Sequence, residues 1–239
     1  MTKQNYKYLI FGTIFVLMIV AFYRQLLVDD AFISFRYARN LIDGRGLVWN
    51  PGEYLEGYSN FLWLMMIAAG MKLGWEPEGF SFVLSIPFHL SGLVATFFLS
   101  RLVLSSALKS NQEITILNPN SSQERISNID IFSWLVLVWV GTNKSLFSFA
   151  TSGLETSLHF GLITTIALLC VKSFSADWNP KSILAVSVLM NLALLSRLDA
   201  VTVVLPVILI FIHRLIYTEN YFTDQPYQNV IPGKKRVLY

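Results

Sequence analysis

The long apolar runs of this chain decide what it can fold into. Six stretches, approximately residues 6–23, 80–104, 131–149, 154–171, 182–197 and 200–217, carry one formal charge each. Crossing roughly 30 Å of hydrocarbon takes about 17–25 apolar residues, so all six qualify, the first and fifth at the short end. Only 14% of the residues are charged and 54% are hydrophobic, whereas a soluble domain has about a quarter charged. The expected fold class is an all-α membrane protein. It has about six transmembrane helices and a long first extracytoplasmic loop carrying interfacial helices.

The first run follows Lys3 and Lys7, as a signal peptide would, but no small-x-small cleavage site succeeds it. It ends in Tyr23-Arg24-Gln25, and Tyr6, Tyr8 and Tyr23 are spaced as interfacial aromatics. A retained anchor is expected. The apolar stretch 61–71 is too short to span and belongs to the re-entrant or interfacial class. With it excluded, Lys3/Lys7, Arg101/Lys109/Arg125, Lys172/Lys181 and Arg214/Lys234/Lys235/Arg236 fall on one side, which the positive-inside rule makes cytoplasmic. Both termini are then inside. The expected organisation is a membrane module at 1–217, with the loop 24–79 outside, and a polar cytoplasmic tail at 218–239.

That outer loop holds Arg24, Arg36, Arg39, Arg45 and Lys72 on the disfavoured side, together with seven carboxylates. Two readings are open: Arg side chains gripping an anionic ligand such as phosphate, or internal pairing with the carboxylates. Asp29-Asp30 opens an amphipathic helix that Gly44-Arg45-Gly46 ends. Asp29, Ile33, Arg36 and Asn40 fall on one face by spacing, and Phe32, Phe35 and Leu41 on another. Asn50-Pro51-Gly52 marks a turn, and Ser59 or Asn60 caps the short apolar helix. The polar stretch 110–128 reads as a cytoplasmic loop, and His89, beside Pro87, reads as a hydrogen-bonding core histidine.

Two further outer connections carry ionisable groups. Lys144 precedes Ala150-Thr-Ser-Gly-Leu-Glu155-Thr156, where Glu155 starts a helix at its favourable dipole end. Leu195-Ser-Arg197-Leu-Asp199-Ala200 closes the fifth run. Three separated connections thus bring charge to one face, where charge is expensive unless it has a use.

Other chemistries lack their residues. There is no His-Glu-x-x-His, the three His are scattered, and Gly44-Arg-Gly46 is no phosphate-binding loop. Cys170 stands alone in an apolar run, and a net charge of +3 without basic blocks does not point to nucleic acid. Paired carboxylates with arginines at a membrane surface fit glycosyl transfer from a lipid-phosphate sugar. A carboxylate takes the acceptor hydroxyl's proton and cations hold the departing phosphate. The plain alternative is that Asp29-Asp30 is only a helix-capping pair.

The block DDAFISFRYARNLIDGRGLVWNPGEYLEGYSNFLW, from Asp29 to Trp63, resembles the first extracytoplasmic loop of bacterial GT-C-type glycosyltransferases. The branch it looks most like contains the cell-wall arabinofuranosyltransferases, with protein O-mannosyltransferases and the lipid A aminoarabinose transferase further off. Ala150–Thr156 and Leu195–Ala200 are similar to later signatures of that branch, although relatives often show Pro-Glu or Pro-Asp where this chain has Leu198-Asp199. The resemblance implies an inverting transferase in the inner membrane with its active site outside, a polyprenyl-phosphate sugar donor, and a glycan, lipid or protein acceptor. It implies a catalytic aspartate at the acidic pair, Asp29 as base with Asp30 assisting. Arg36, Arg39, Glu56, Lys144, Glu155, Arg197 and Asp199 are the candidate substrate-binding residues. No cofactor is required and no metal ligand is assigned, though a divalent cation beside the pair is compatible with the chemistry. Only the family's N-terminal module is matched, so a separate chain supplying further helices is an expected partner. The rival expectation is a non-catalytic fragment or partner subunit that binds a lipid-linked sugar.

Overall fold

A computed structural model describes residues 3–23, 26–110, 120–174 and 180–223; side chains at 3–7, 22, 108–110, 120–127, 174 and 214–223 are not part of that description. The described residues are helical without strands. In chain order they form α1 (Lys3–Tyr23), α2 (Ala31–Ile42), α3 (Phe61–Lys72), α4 (Pro77–Ser110), α5 (Asn120–Gly141), α6 (Lys144–Phe149), α7 (Thr156–Phe174), α8 (Pro180–Ser196), a 3₁₀ turn at Leu198–Ala200, and α9 (Val201–Thr223). The chain divides into two units, Met1–Ala200 and Val201–Tyr239. The described part of the second is α9, with Pro206 inside it.

Two helices, α4 and α7, contain segments long and apolar enough to cross a membrane, and α3 belongs to the shorter apolar class. Much of the apolar surface faces outward: Phe11, Phe15, Val83, Phe98, Phe132, Leu135 and Trp139 are all exposed. That pattern suits helices whose outer faces meet lipid rather than water. The interior of the first unit is smaller. Ile14 of α1, Leu93 and Phe97 of α4 and Leu137 of α5 form its apolar cluster, with Phe160 of α7 against it. Trp134 Nε1 donates to Thr13 Oγ1 at 2.9 Å, which ties α5 to α1.

Helices α4 and α7 pack along each other, and small residues permit it. A Cβ at Gly161 would stand 2.6 Å from both the Phe88 carbonyl oxygen and Ser91 Oγ. His89, one residue on from Phe88, is buried with its ring 5.6 Å from Phe160. Its Nδ1 has no partner among the described residues. It is therefore a core histidine, but the hydrogen bond expected of it is missing at that nitrogen.

The loop between α1 and α4 folds as a small helical layer, α2 on α3. Both helices end in the same motif. Arg45 N bonds Asn40 O and Gly44 N bonds Leu41 O; Trp75 N bonds Gly70 O and Gly74 N bonds Met71 O. These are the paired 6→1 and 5→2 bonds of a Schellman cap, with a left-handed glycine at the turn. Helix α2 thus stops at the glycines its sequence marks. Residues 48–60 wrap around Tyr37, whose hydroxyl donates to Leu55 O at 2.9 Å and accepts from Gly57 N at 3.0 Å.

Several local expectations are corrected. The run 131–149 is not one helix: α5 ends at Gly141 and α6 restarts at Lys144 after Asn143, whose side chain caps it by accepting from Leu146 N. The polar stretch 110–128 is helical from Asn120 onward. Asn40 is buried, not grouped with exposed Arg36, because its amide donates to Val48 O and Trp49 O. Phe32 is exposed while Phe35 is buried, so those two do not share an environment. Asp30 and Asn60 occupy N-cap positions of α2 and α3, yet neither side chain makes the capping bond. Expectations resting on Arg24, on 111–119 and on the tail from 224 onward lie outside the described residues.

The helix contact at Gly161 predicts a measurable cost. Gly161→Ala forces the Phe88 backbone away, and is expected to destabilise the protein by about 1–3 kcal/mol. Gly12→Ala in α1, where an added Cβ meets nothing within 4 Å, is expected to be neutral. Thermal unfolding of the two variants in detergent checks the contrast.

Candidate functional site

The site is built on the connection 150–155, which is wedged between helices rather than looped into solvent. Val28 N donates to Ser152 O at 3.1 Å, and Trp63 Nε1 donates to Gly153 O at 3.0 Å. Ser157 Oγ, on the first turn of α7, donates to Ala150 O at 3.0 Å. Gly153 has φ +81°, and a Cβ there would lie 2.6 Å from Leu27 and 2.9 Å from Ala31. Only glycine combines that left-handed backbone with so close an approach to the start of α2.

The wedge delivers Glu155 into the interior, 7% exposed. Two donors from distant segments meet its carboxylate. Asn60 Nδ2 bonds Oε2 at 2.8 Å, and Arg197 NH1 bonds Oε1 at 3.2 Å. Asn60 in turn lies 3.0 Å from Ser34 Oγ on α2. Arg197 Nε reaches on to Asp199 Oδ1 at 3.1 Å. A chain of polar contacts therefore runs from α2 through the head of α3 and the start of α7 to the end of α8. A buried carboxylate is tolerable only with such compensation.

The outer end of this chain is electrostatically coupled. The Asp199 hydrogen bond, together with the nearby Asp199 and Glu155 charges, raises the Arg197 guanidinium further above its ordinary value against partial desolvation. The bond donated by Arg197 holds the Asp199 carboxyl below the usual carboxylate range. Next to them, His159 Nδ1 is 3.2 Å from Ser196 Oγ, and that hydroxyl donates its proton to Ala193 O at 2.7 Å. The imidazole must then be the donor at Nδ1, which leaves Nε2 the basic nitrogen.

The acidic pair lies beside this network. Asp29 and Asp30 are exposed, and neither carboxylate has a hydrogen bond or ion pair among the described residues. Their backbone carbonyls accept from Phe32 N and Ile33 N, so they form the lip of α2. Val28, immediately before them, is the residue bonded to Ser152. Ser34 sits only about 6 Å further along the helix axis than Asp30. An apolar cavity of about 230 Å³, lined by Phe15, Met18, Ile19, Ala21, Phe82 and Ile86, reaches the same connection at Thr151.

The structure joins Glu155, Arg197 and Asp199 directly, and ties the start of α2, where Asp29 and Asp30 stand, to the connection that leads to Glu155. It places the other candidates elsewhere. Arg36 stacks 4.1 Å over the Trp49 ring, donates to Trp49 O at 3.0 Å, and bonds the Asn50 side chain. Arg39 pairs with Glu76 at 3.8 Å, and Arg45 with Asp43 at 3.6 Å. Arg39 and Arg45 thus pair with loop carboxylates, as the internal-pairing reading describes, whereas Arg36 is held by Trp49 and Asn50 and meets no carboxylate among the described residues. Glu56 is exposed in the wrapping segment, where its charge adds to burial in raising the Tyr58 hydroxyl. Lys144 opens α6 in an exposed position. Among the described residues no group of three or more His, Cys, Asp and Glu is placed to hold a metal ion.

Asn60, Ser34 and His159 were not read as site residues from sequence. Asn60 carried only a capping signal, and its side chain is diverted from that role to Glu155. The spacing of Glu155 and His159, one turn apart, was the available clue for the histidine.

Comparison with known protein families finds no matching model. Comparisons with curated proteins and with solved structures find no match either.

The network makes two predictions. Asn60→Ala leaves a buried Glu155 oxygen without its donor and is expected to cost about 1–3 kcal/mol. Ser34→Ala, which removes only the outer partner, is expected to cost less; denaturation in detergent compares them. Asp199 has a folded pKa below its unfolded one. Its contribution is therefore present above the ordinary carboxylate pKa and lost as pH falls through the lowered value. Because Asp199 is 58% exposed, that contribution is expected to stay below about 1 kcal/mol and to shrink with salt. Asp199→Asn is expected to show a slightly smaller loss of thermal stability between neutral and acidic pH than the parent protein.

Proposed function

We propose that this chain is an integral membrane glycosyltransferase, or the catalytic module of one, that uses a polyprenyl-phosphate sugar donor. The observation carrying this reading is the exposed Asp29-Asp30 lip, which the Val28–Ser152 bond ties to the connection leading into the buried Glu155 carboxylate and its Arg197 partner. The resemblance of residues 29–63 to GT-C first loops supports it, as does the apolar cavity that ends at Thr151.

In this reaction the acceptor hydroxyl oxygen attacks the anomeric carbon as the bond from that carbon to the phosphate oxygen breaks. The hydroxyl proton passes to Asp29, with Asp30 raising the local negative charge. Polyprenyl phosphate leaves with the bonding electrons, and the anomeric configuration inverts. Arg197 keeps NH2 without a hydrogen bond to any described residue, so it can donate to that phosphate while NH1 and Nε remain anchored. Glu155 and Asn60 act by holding the guanidinium in place. The apolar cavity receives the first isoprene units. Arg36 and Arg39, engaged in the loop, shape the acceptor side rather than grip phosphate.

The proposed arrangement has six spans: α1, α4, α5, α7, α8 and α9. Both termini are cytoplasmic, the α2–α3 layer is outside, and α6 forms part of an outer connection. The alternative, a non-catalytic subunit binding a lipid-linked sugar, needs Arg197 and the cavity but no base.

Transfer of labelled sugar from a polyprenyl-phosphate donor in membranes separates the two. Asp29→Asn is expected to lower transfer by about 10²-fold or more, the scale of a lost general base, while donor binding persists. Full activity in both Asp29→Asn and Asp30→Asn excludes the catalytic assignment. For topology, Trp75→Cys in a Cys170→Ala background is expected to react with a membrane-impermeant maleimide from the outer side. Reaction only in inverted vesicles overturns the arrangement.

A further inference from the structure

The far end of α4 and α5 holds a second charged constellation, which the site above does not use. Arg101 Nε stands 2.7 Å from Asp130 Oδ1. Asp130 is 8% exposed, while the Arg101 side chain keeps 45% of its surface. The contact is an ion pair without hydrogen-bond geometry, and the buried Oδ1 has no hydrogen bond among the described residues. Its charge is compensated but its lone pairs are not, and buried oxygens in that state ordinarily have a donor.

The pair lines a cavity of about 320 Å³, to which Phe98, Leu102, Ser105 and Ile129 also contribute among the described residues. Ser105 turns its hydroxyl back to Leu102 O at 2.8 Å, so among the described residues the polar capacity of the cavity comes from Arg101 and Asp130. Arg101 lies about 36 Å along α4 from Pro77, just beyond a hydrocarbon thickness of roughly 30 Å. Asp130 immediately precedes the apolar part of α5. With α4 crossing a membrane from Pro77, cation, carboxylate and apolar wall meet near the depth where lipid headgroups join their acyl chains.

We infer that this cavity binds the headgroup of an aminophospholipid, with the phosphate on Arg101 and the primary ammonium on Asp130. An ammonium supplies the N–H donors that Oδ1 lacks. The phosphate takes the outward N–H groups of a half-exposed guanidinium, and the first acyl carbons cover Phe98 and Leu102. The inference rests on α4 and α5 lying in a membrane and is independent of glycosyl transfer.

The test is lipid retention by the purified full chain, read by native mass spectrometry and by thermal stability in detergent. Phosphatidylethanolamine, phosphatidylcholine and phosphatidylglycerol with matched acyl chains are compared, with water-soluble glycerophosphoethanolamine as a competitor. Phosphatidylethanolamine is expected to be preferred about tenfold over the other two, the discrimination one charge-assisted hydrogen bond supplies. Choline has no N–H to donate, and glycerol has no cation. Asp130→Asn is expected to abolish the preference over phosphatidylglycerol. Ser105→Leu, which fills the cavity and keeps the ion pair, is expected to lower retention. Equal retention of the three lipids by the unmodified protein overturns the inference without any variant. Competition by the soluble ester as strong as that by the lipid overturns the assignment to a membrane source.

Discussion

A carboxylate enclosed among helix ends must be met by donors, and Glu155 imposes that condition on the segments that surround it. Its partners come from the head of α3 and from beyond α8, and Asn60 carries the contact on to α2. Breaking such a pair costs far more than forming it gains, because the remaining charge stays buried. Its value is therefore positional: it decides where Arg197 stands. The wedge 150–155 serves the same end, since the Trp63 and Val28 bonds hold the segment that carries Glu155.

The helices behind this layer are organised by a different force. Around α4 the interior is apolar and closely packed, and small residues set how near α7 can come. The polar network sits at one end of these helices and the Arg101–Asp130 pair at the other. Two charged ends separated by an apolar length is the pattern expected when lipid, rather than water, surrounds the middle. The two ends differ in kind. At the first, both carboxylate oxygens of Glu155 accept a hydrogen bond; at the second, Asp130 Oδ1 has its ion pair with Arg101 but no hydrogen bond among the described residues.

Features repeated along one segment were legible in the sequence, and features joining segments were not. The apolar runs announced α4 and α7, Gly44 announced the end of α2, and the short 61–71 run announced α3. The break at Thr142-Asn143 was hidden because the polar insertion is short between the apolar runs 135–140 and 146–147, and the cap at Asn143 is a single local hydrogen bond. Amphipathic spacing misassigned Asn40, because an amide can be buried once carbonyls such as those of Val48 and Trp49 accept its protons. Glu155 and Arg197 were chosen for their charge and their place at helix ends. Asn60 was missed because a neutral amide before a helix already has an ordinary explanation. The arginines of the first loop show the limit of counting charges, since Trp49, Asn50, Glu76 and Asp43 occupy them locally.

The bonds that seat the first loop also bear on when it can take shape. Asn60 and Glu155 are 95 positions apart, and Trp63 and Gly153 are 90 apart. During synthesis the Asp29-Asp30 lip and its helical layer emerge long before the wedge that supports them. Arg197 arrives a further 42 positions after Glu155. Until then the layer has only its own small core around Tyr37 and Trp63, and its polar face toward Glu155 stays hydrated. The supports of the α2–α3 layer are thus complete only once Arg197 has been made, and a chain halted before α8 would carry Glu155 without the guanidinium that meets it.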